Sequence, residues 1–303
     1  MTDRRHTDDA PTVQRVLALK TFPVLAALEA DDLAAIADRV RSDRLPCGAV
    51  LTHGDTAPVA VHLVVEGEVD ESGADGTSRR RRAPCIVAGL EALAGRTPRP
   101  VVAVTEVEVL SLGADAPLWE LLEESFDLTL ACLANLARAI CLIRRRVVPS
   151  GGYAPPAGDA NVLGEPPLAL AEQIAAMRRT GPLAGAPIHA LGLLAHEGTL
   201  VRADAGKRVW SIGEDADRVV IILAGHTRGT TPDGHAFAHG PGAIVGAGTA
   251  FAAEPCWFDL AAAGPLTFLA LPTERLLDVL EDDWPMAAHV LRAVARELLH
   301  LRG

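Results

Sequence analysis

The sequence repeats itself. Phe22-Pro23-Val24-Leu25 corresponds to Thr180-Gly181-Pro182-Leu183, a shift of 158 positions, and the same shift carries Gly48 to Gly206 and Gly67 to Gly225. It also carries Leu121-Leu122-Glu123-Glu124-Ser125-Phe126 to Val279-Leu280-Glu281-Asp282-Asp283-Trp284, while the pairs Gly54/Gly213 and Gly89/Gly246 depart from it by one residue. Agreement from one end of each half to the other means that both halves must share one fold, with one-residue adjustments in loops. The length of 303 residues suits two domains at roughly 100 to 200 residues each. Domain 1 is expected at 12–147 and domain 2 at 168–303. Residues 148–167 read as a Pro/Gly-rich linker, because Pro and Gly interrupt both helix and strand periodicity. Residues 1–11, charged and polar, read as a disordered tail.

Each half opens with a helical pattern, as in Leu25 to Ala37, where apolar residues recur at three- and four-residue spacing. Short β-branched runs follow, His62-Leu63-Val64-Val65 before Glu66-Gly67 and Val219 to Leu223 before Ala224-Gly225, each ended by a turn glycine. From Val101 to Leu112 apolar residues alternate with Thr105, Glu106 and Glu108, the pattern of a strand with one wet face. Each half closes on a long amphipathic helix, Leu118 to Arg146 with a break near Phe126-Asp127 and Glu274 to Leu301 broken at Pro285. The fold class is therefore mainly β with flanking α: two tandem β-roll, jelly-roll-like domains, each with an N-terminal helix and C-terminal helices.

Pro46 to Gly54, followed by Leu63-Val64-Val65-Glu66-Gly67-Glu68-Val69, is similar to the early strands and turn glycines of the cyclic nucleotide-binding domain family, and Gly89 to Arg99 resembles that family's phosphate-binding cassette. The resemblance implies a regulatory, ligand-sensing, non-enzymatic protein with cAMP or cGMP as the ligand class of domain 1. It implies binding residues at Gly89, Leu90, Glu91, Ala92, Arg99, Val101 and Val102. In the family a Gly-Glu pair opens the cassette and takes the ribose hydroxyl, and an Arg pairs with the phosphate through charge-assisted hydrogen bonds. Arg99 matches that Arg, but Leu90 stands at the Glu position with Glu91 one residue late, and Val101-Val102 replace a hydroxyl-bearing pair. In the second half Ala247 and Cys256 stand where Glu and Arg would, so domain 2 is expected to be a structural pseudo-domain that binds no nucleotide. Tandem copies also resemble regulatory subunits of cyclic-nucleotide-dependent kinases, and Arg4-Arg5-His6-Thr7 has two arginines ahead of a hydroxyl, though Asp8 follows where an apolar residue is favoured.

Charge and motif content limit the alternatives. With 28 Lys and Arg against 39 Asp and Glu the chain carries −11, which repels phosphate backbones, and no basic recognition helix follows the second copy, so no nucleic-acid partner is expected. Arg79–Arg82 reads as a solvated loop and Arg144–Arg146 as the end of a helix. Five cysteines without a C-x-x-C pair suit reduced thiols in the cytoplasm, and the absence of a long uninterrupted apolar run suits a chain without a membrane span. Two other readings stay open. One is a scaffold or homo-oligomer formed through Leu291, Val294 and Leu298 on the C-terminal helices; the other is a bicupin-like metal enzyme, for which His235 and His239 are the closest histidine pair. No protein partner can be named from the sequence.

Overall fold

The computed structural model describes residues 12–73, 77–150, 169–179 and 181–302. The Arg4-Arg5-His6-Thr7 pattern and most of the expected linker lie outside the described residues. The chain divides into two compact units, Met1–Cys132 and Leu133–Gly303.

In the first unit α1 (Thr12–Leu19) and α2 (Ala30–Arg39) precede β1 (Arg41–Leu45), β2 (Val50–Thr52), β3 (Ala60–Glu66), β4 (Glu68–Ser72), β5 (Ser78–Arg82) and β6 (Cys85–Val87). Then come α3 (Gly89–Ala94), β7 (Val101–Ala103), β8 (Val107–Gly113), α4 (Ala116–Glu124) and the start of α5 (Phe126–Val147). All pairings are antiparallel, and they form two four-stranded sheets in the orders β1-β8-β3-β6 and β2-β7-β4-β5. Val64, Val69, Val87, Val101, Val107 and Val109 form the core between them. β-branched side chains at alternate positions give that core without large rings.

The second unit takes the rest of α5, then α6 (Leu170–Met177), a 3-10 turn at Gly181–Leu183, α7 (Ile188–Glu197), β9 (Thr199–Ala203), β10 (Arg208–Trp210) and β11 (Arg218–Ala224). It continues with β12 (Thr227–Thr230), β13 (Ala236–His239), β14 (Ile244–Val245), α8 (Ala247–Ala252), β15 (Asp259–Ala262), β16 (Leu266–Pro272), α9 (Thr273–Asp282) and α10 (Trp284–Arg302). Its sheets run β14-β11-β16-β9 and β10-β15-β12-β13. Adding eight to each strand number of the first unit reproduces both orders, so the repeat in the sequence is a repeat in topology. The turn glycines behave alike as well. Gly67 has φ +92° and a Cβ there would lie 2.4 Å from Glu106 O; Gly225 has φ +81° and a Cβ there would lie 2.1 Å from Pro265 O. Neither position tolerates a side chain.

Several sequence readings change. Val101 to Leu112 is two strands, β7 and β8, in different sheets, because the chain turns at residues 104–106 with Thr105 Oγ1 accepting from Glu68 N at 3.0 Å. Alternation alone cannot tell one strand from two that preserve phase. Arg79–Arg82 is not a loop but most of β5, paired with the acidic β4 so that Arg82 faces Glu68 and Arg80 faces Asp70. Opposite charges across a ladder satisfy a strand that looks unbroken and basic in sequence. The breaks in the closing helices fall at Ser125 and Asp283: Ser125 Oγ accepts from Leu128 N at 3.1 Å and Asp283 Oδ1 from Met286 N at 2.9 Å. Pro285 occupies the first turn of α10, where its missing N–H costs nothing.

The largest change concerns α5. Its residues from Leu133 onward, read from sequence as part of domain 1, belong to the second unit. Among the described helices α5 has the length and apolar content to cross a bilayer, although no uninterrupted apolar run marks it in the sequence. Leu133, Ala137, Ile140 and Cys141 are all buried, which accounts for that apolar character within the fold. On α10, Leu291 and Leu298 are buried, at 0% and 1% exposure, and Val294 is half-buried, so two of the three residues expected on an oligomerisation face are packed within the chain.

Candidate ligand sites in the two rolls

The cassette helix in each roll is entered and left through left-handed backbone. Ala88 (φ +62°) precedes α3 and Gly95 (φ +64°) follows it; Gly246 (φ +92°) precedes α8 and Ala253 (φ +51°) follows it. Ala88, not Gly89, therefore corresponds to Gly246, and the sequence alignment paired one glycine with another at the wrong step. A left-handed alanine is costly and uncommon, which is why glycine was the natural choice. Gly89, Leu90, Glu91 and Ala92 form the first turns of the six-residue α3, with Ala92 buried. Neither Gly89 nor Ala247, the residues after the left-handed turn, carries a carboxylate.

A carboxylate does stand on the concave face of the first roll. Glu71 is two residues beyond the core residue Val69 and pairs across the ladder with Val101, so it shares their face. Arg81 faces Val69 on the other side of β4 and also points inward. Its Nη1 donates to Glu71 Oε2 at 3.4 Å and its Nη2 to Ile86 O at 2.8 Å. Arg99, 48% exposed, brings Nη1 to 4.0 Å from Glu71 Oε1. Two guanidiniums thus flank one carboxylate that is only 17% exposed. The nearby Cys85 thiol is pushed up by burial, with Arg81 pulling the other way and Glu71 adding to the rise. Val101 is buried beneath this cluster, whereas Val102 faces the other way, opposite Asp70 and Val50. Thr52 Oγ1 donates to Arg99 O at 2.5 Å and fixes the backbone that carries the arginine. Sequence reasoning found Arg99 and missed Glu71 and Arg81. The signal was the ladder partnership of an acidic and a basic run ten residues apart.

The same face of the second roll is closed. Its ladder sets Thr227 opposite His239 and Gly229 opposite Phe237, which puts Gly229 in the place of Glu71 and His239 in the place of Arg81. By the register of the cassette helix Arg99 corresponds to Trp257, while Cys256 is buried with its thiol raised to about 11, chiefly by burial. Phe237 stacks on Trp257 at 5.8 Å, and Phe258 packs edge-on to both at 5.0 and 4.7 Å. His239 is buried, and desolvation, with Arg144 second, lowers it to about 4, so it is neutral at ordinary pH. The remaining space is taken by α5 and the turn after it. Val148 joins the core of the roll, and Cys141 Sγ lies 3.3 Å from where a Cβ of Gly248 would be. Arg145 pairs with Glu254 at 2.6 Å and Arg144 with Glu297. What is left beside Thr249 and His239 is a cavity of about 20 Å³, room for about one water molecule and no nucleotide.

Among the described residues no three His, Cys, Asp or Glu side chains cluster. His239, one of the histidine pair weighed for a metal enzyme, is an inward residue of β13.

Residues 200–283 match the family model described as Cyclic nucleotide-binding domain. The match to this cyclic nucleotide-binding domain runs from β9 to the end of α9, the copy in which the charged cluster is gone. A search of curated proteins gave no match. Among solved structures, the regulatory domain of Toxoplasma gondii PKA with cAMP is 15% identical, with 91% of this chain and 95% of that chain covered at a TM-score of 0.34. The regulatory subunit of a cAMP-independent protein kinase A from Trypanosoma cruzi bound to guanosine is 14% identical over 94% and 93%, at 0.34. The N-terminal domain of a transcriptional regulator from Streptomyces coelicolor A3(2) is 25% identical over 41% of this chain and 93% of that one, at 0.38.

Proposed function

We propose that this chain is a non-enzymatic regulatory protein of the cytoplasm whose first roll senses a cyclic nucleotide, cAMP or cGMP, and whose second roll is a closed pseudo-domain. One contrast supports the reading: Arg81 and Arg99 flank Glu71 on the concave face of the first roll, and aromatic rings with α5 fill that face in the second. Two guanidiniums suit a phosphate and a carboxylate suits a sugar hydroxyl, so the trio offers the two kinds of contact that a nucleotide needs. Arg99, the more exposed of the two cations, takes the phosphate, and Arg81, tethered to Ile86 O, holds Glu71 in place.

Calorimetry of the full chain with cAMP and with cGMP tests this. One site per chain is expected, weakened at least about tenfold by Arg99→Ala, the loss of a charge-assisted contact. Two sites per chain, or unchanged affinity in the variant, would refute the placement. No heat with either nucleotide would favour a scaffold instead, with Glu71 serving only to neutralise its arginines.

A further inference from the structure

The first unit holds a second recess, and none of Glu71, Arg81 and Arg99 lines it. It measures about 640 Å³, within the range of small-molecule pockets, about 300–1,000 Å³. One wall is the β1-β8-β3 sheet, and the other is β2 with residues 53–60 and Pro98. Arg41 faces Ser111 and Ser111 faces His62 across the ladders, so the three side chains form one row on one face. That face is the concave one, because Ser111 is two residues beyond the core residue Val109. His62 Nδ1 and Ser111 Oγ are 2.9 Å apart. Burial pushes the His62 imidazole down, against a backbone hydrogen bond at Leu51 and the Asp43 charge, so the ring is neutral at ordinary pH. Ser111 Oγ makes one bond to His62 and keeps the capacity for another. Arg41 stands exposed at the rim with His53 and Thr56. Its neighbours are engaged, Arg39 by both oxygens of Glu124 at 2.8 and 2.6 Å and Arg44 by Glu108 at 3.1 Å, whereas Arg41 has no such partner among the described residues. Val50, Leu112, Pro98, Pro117 and the 83% exposed Val59 give the recess its apolar surface.

We infer that this recess binds a small carboxylate with an apolar ring or chain and a hydroxyl at its far end. The carboxylate meets Arg41 at the rim, the apolar body covers Val50, Val59 and Leu112, and the hydroxyl donates to Ser111 Oγ. Removal of apolar surface from water drives binding, and the guanidinium selects the acid over the corresponding alcohol. Asp43 is the one carboxylate among the described lining residues and lies two residues from Arg41 on the same face of β1. It repels an anion placed further along the strand and so fixes the orientation of the ligand. The first roll thereby gains an input chemically unlike a cyclic phosphodiester, through a separate mouth.

Calorimetry of the full chain with para-hydroxybenzoate, benzoate and para-hydroxybenzyl alcohol tests the inference. The hydroxybenzoate is expected to bind at one site per chain. Benzoate should bind about fivefold more weakly for want of a neutral hydrogen bond, and the alcohol at least about tenfold more weakly for want of a charged one. Arg41→Gln should weaken the hydroxybenzoate at least about tenfold and leave the alcohol unchanged. Ser111→Ala should bring the hydroxybenzoate to the level of benzoate and leave benzoate unchanged; if that variant does not fold, the exposed Arg41→Gln decides. Absence of hydroxybenzoate binding, equal binding of benzoate or of the alcohol, or full affinity in Arg41→Gln would overturn the proposal. Displacement of the hydroxybenzoate by cAMP would overturn it too, by making the two sites one. Nucleotide binding is read separately on the same preparation, so its failure is distinguishable from a failure here.

Discussion

Arg81→Ala separates a cation that holds the fold from the one proposed to meet a ligand. The Arg81 side chain is 29% exposed and donates at 2.8 Å to Ile86 O as well as at 3.4 Å to Glu71. Its removal deletes a charge-assisted bond to a carbonyl, worth about 1.5–3 kcal/mol. It also deletes an ion pair that partial exposure limits to under about 1 kcal/mol. Water entering the vacated space recovers part of this, so the net loss is about 2 kcal/mol, roughly 30-fold in the folding equilibrium. Arg99→Ala removes only a 4.0 Å contact at the surface and should cost less than about 0.5 kcal/mol. Hydrogen exchange of the full chain, read by mass spectrometry on separate peptides, reports the two units independently. The slowest amides of β3 to β6 should exchange about 30-fold faster in Arg81→Ala, with β11 to β16 unchanged, and neither set should move in Arg99→Ala. Equal effects of the two substitutions, or none from Arg81→Ala, would show that the division of labour between the two arginines is wrong.

Two further outcomes follow from the closed roll. His239 titrates near 4 when folded and near 6.5 when unfolded, so the unfolded chain binds more protons between those values. Its contribution to the second unit's stability is complete above about pH 6.5 and is lost as pH falls towards 4; His239→Gln should flatten that limb in urea unfolding followed by tryptophan fluorescence, and an unaltered limb would contradict a neutral buried imidazole. Val148→Asp puts a charge among core side chains at a cost of several kcal/mol. The end of α5 should then detach and expose Cys141, a buried thiol held high by desolvation, to an aromatic disulfide reagent that otherwise reaches the exposed Cys47 first. A silent Cys141 in that variant would mean that Val148 does not anchor the helix.

The duplication was legible because glycines at left-handed turns where a Cβ would collide with a backbone carbonyl leave no alternative residue. Gly67 and Gly225 mark the same corner in both rolls, and everything between such corners follows by topology. The candidate site was less legible. Arg99 could be found by its distance along the chain from the cassette, but Glu71 and Arg81 come together only through a ladder, and sequence spacing does not encode which face a strand residue shows until its register is known. Ala88 misled for a related reason: composition suggests where a left-handed residue is cheap, not where the fold imposes one. The occupant of the second roll was invisible, since α5 reads as a closing helix of one half and packs in the other. Its Arg144 and Arg145 looked like an ordinary cationic helix end, which they are, with Glu297 and Glu254 as added partners.

That helix also decides where the protein can be cut. Scission in the Pro/Gly-rich stretch, the obvious place, would take Val148 and Arg144 away from the second roll and leave Phe237, Trp257 and Phe258 facing water. Such a fragment should be sticky and short-lived, whereas one that starts ahead of Leu133 keeps its stopper. The gene was doubled, but the copies no longer part at the seam where they were joined.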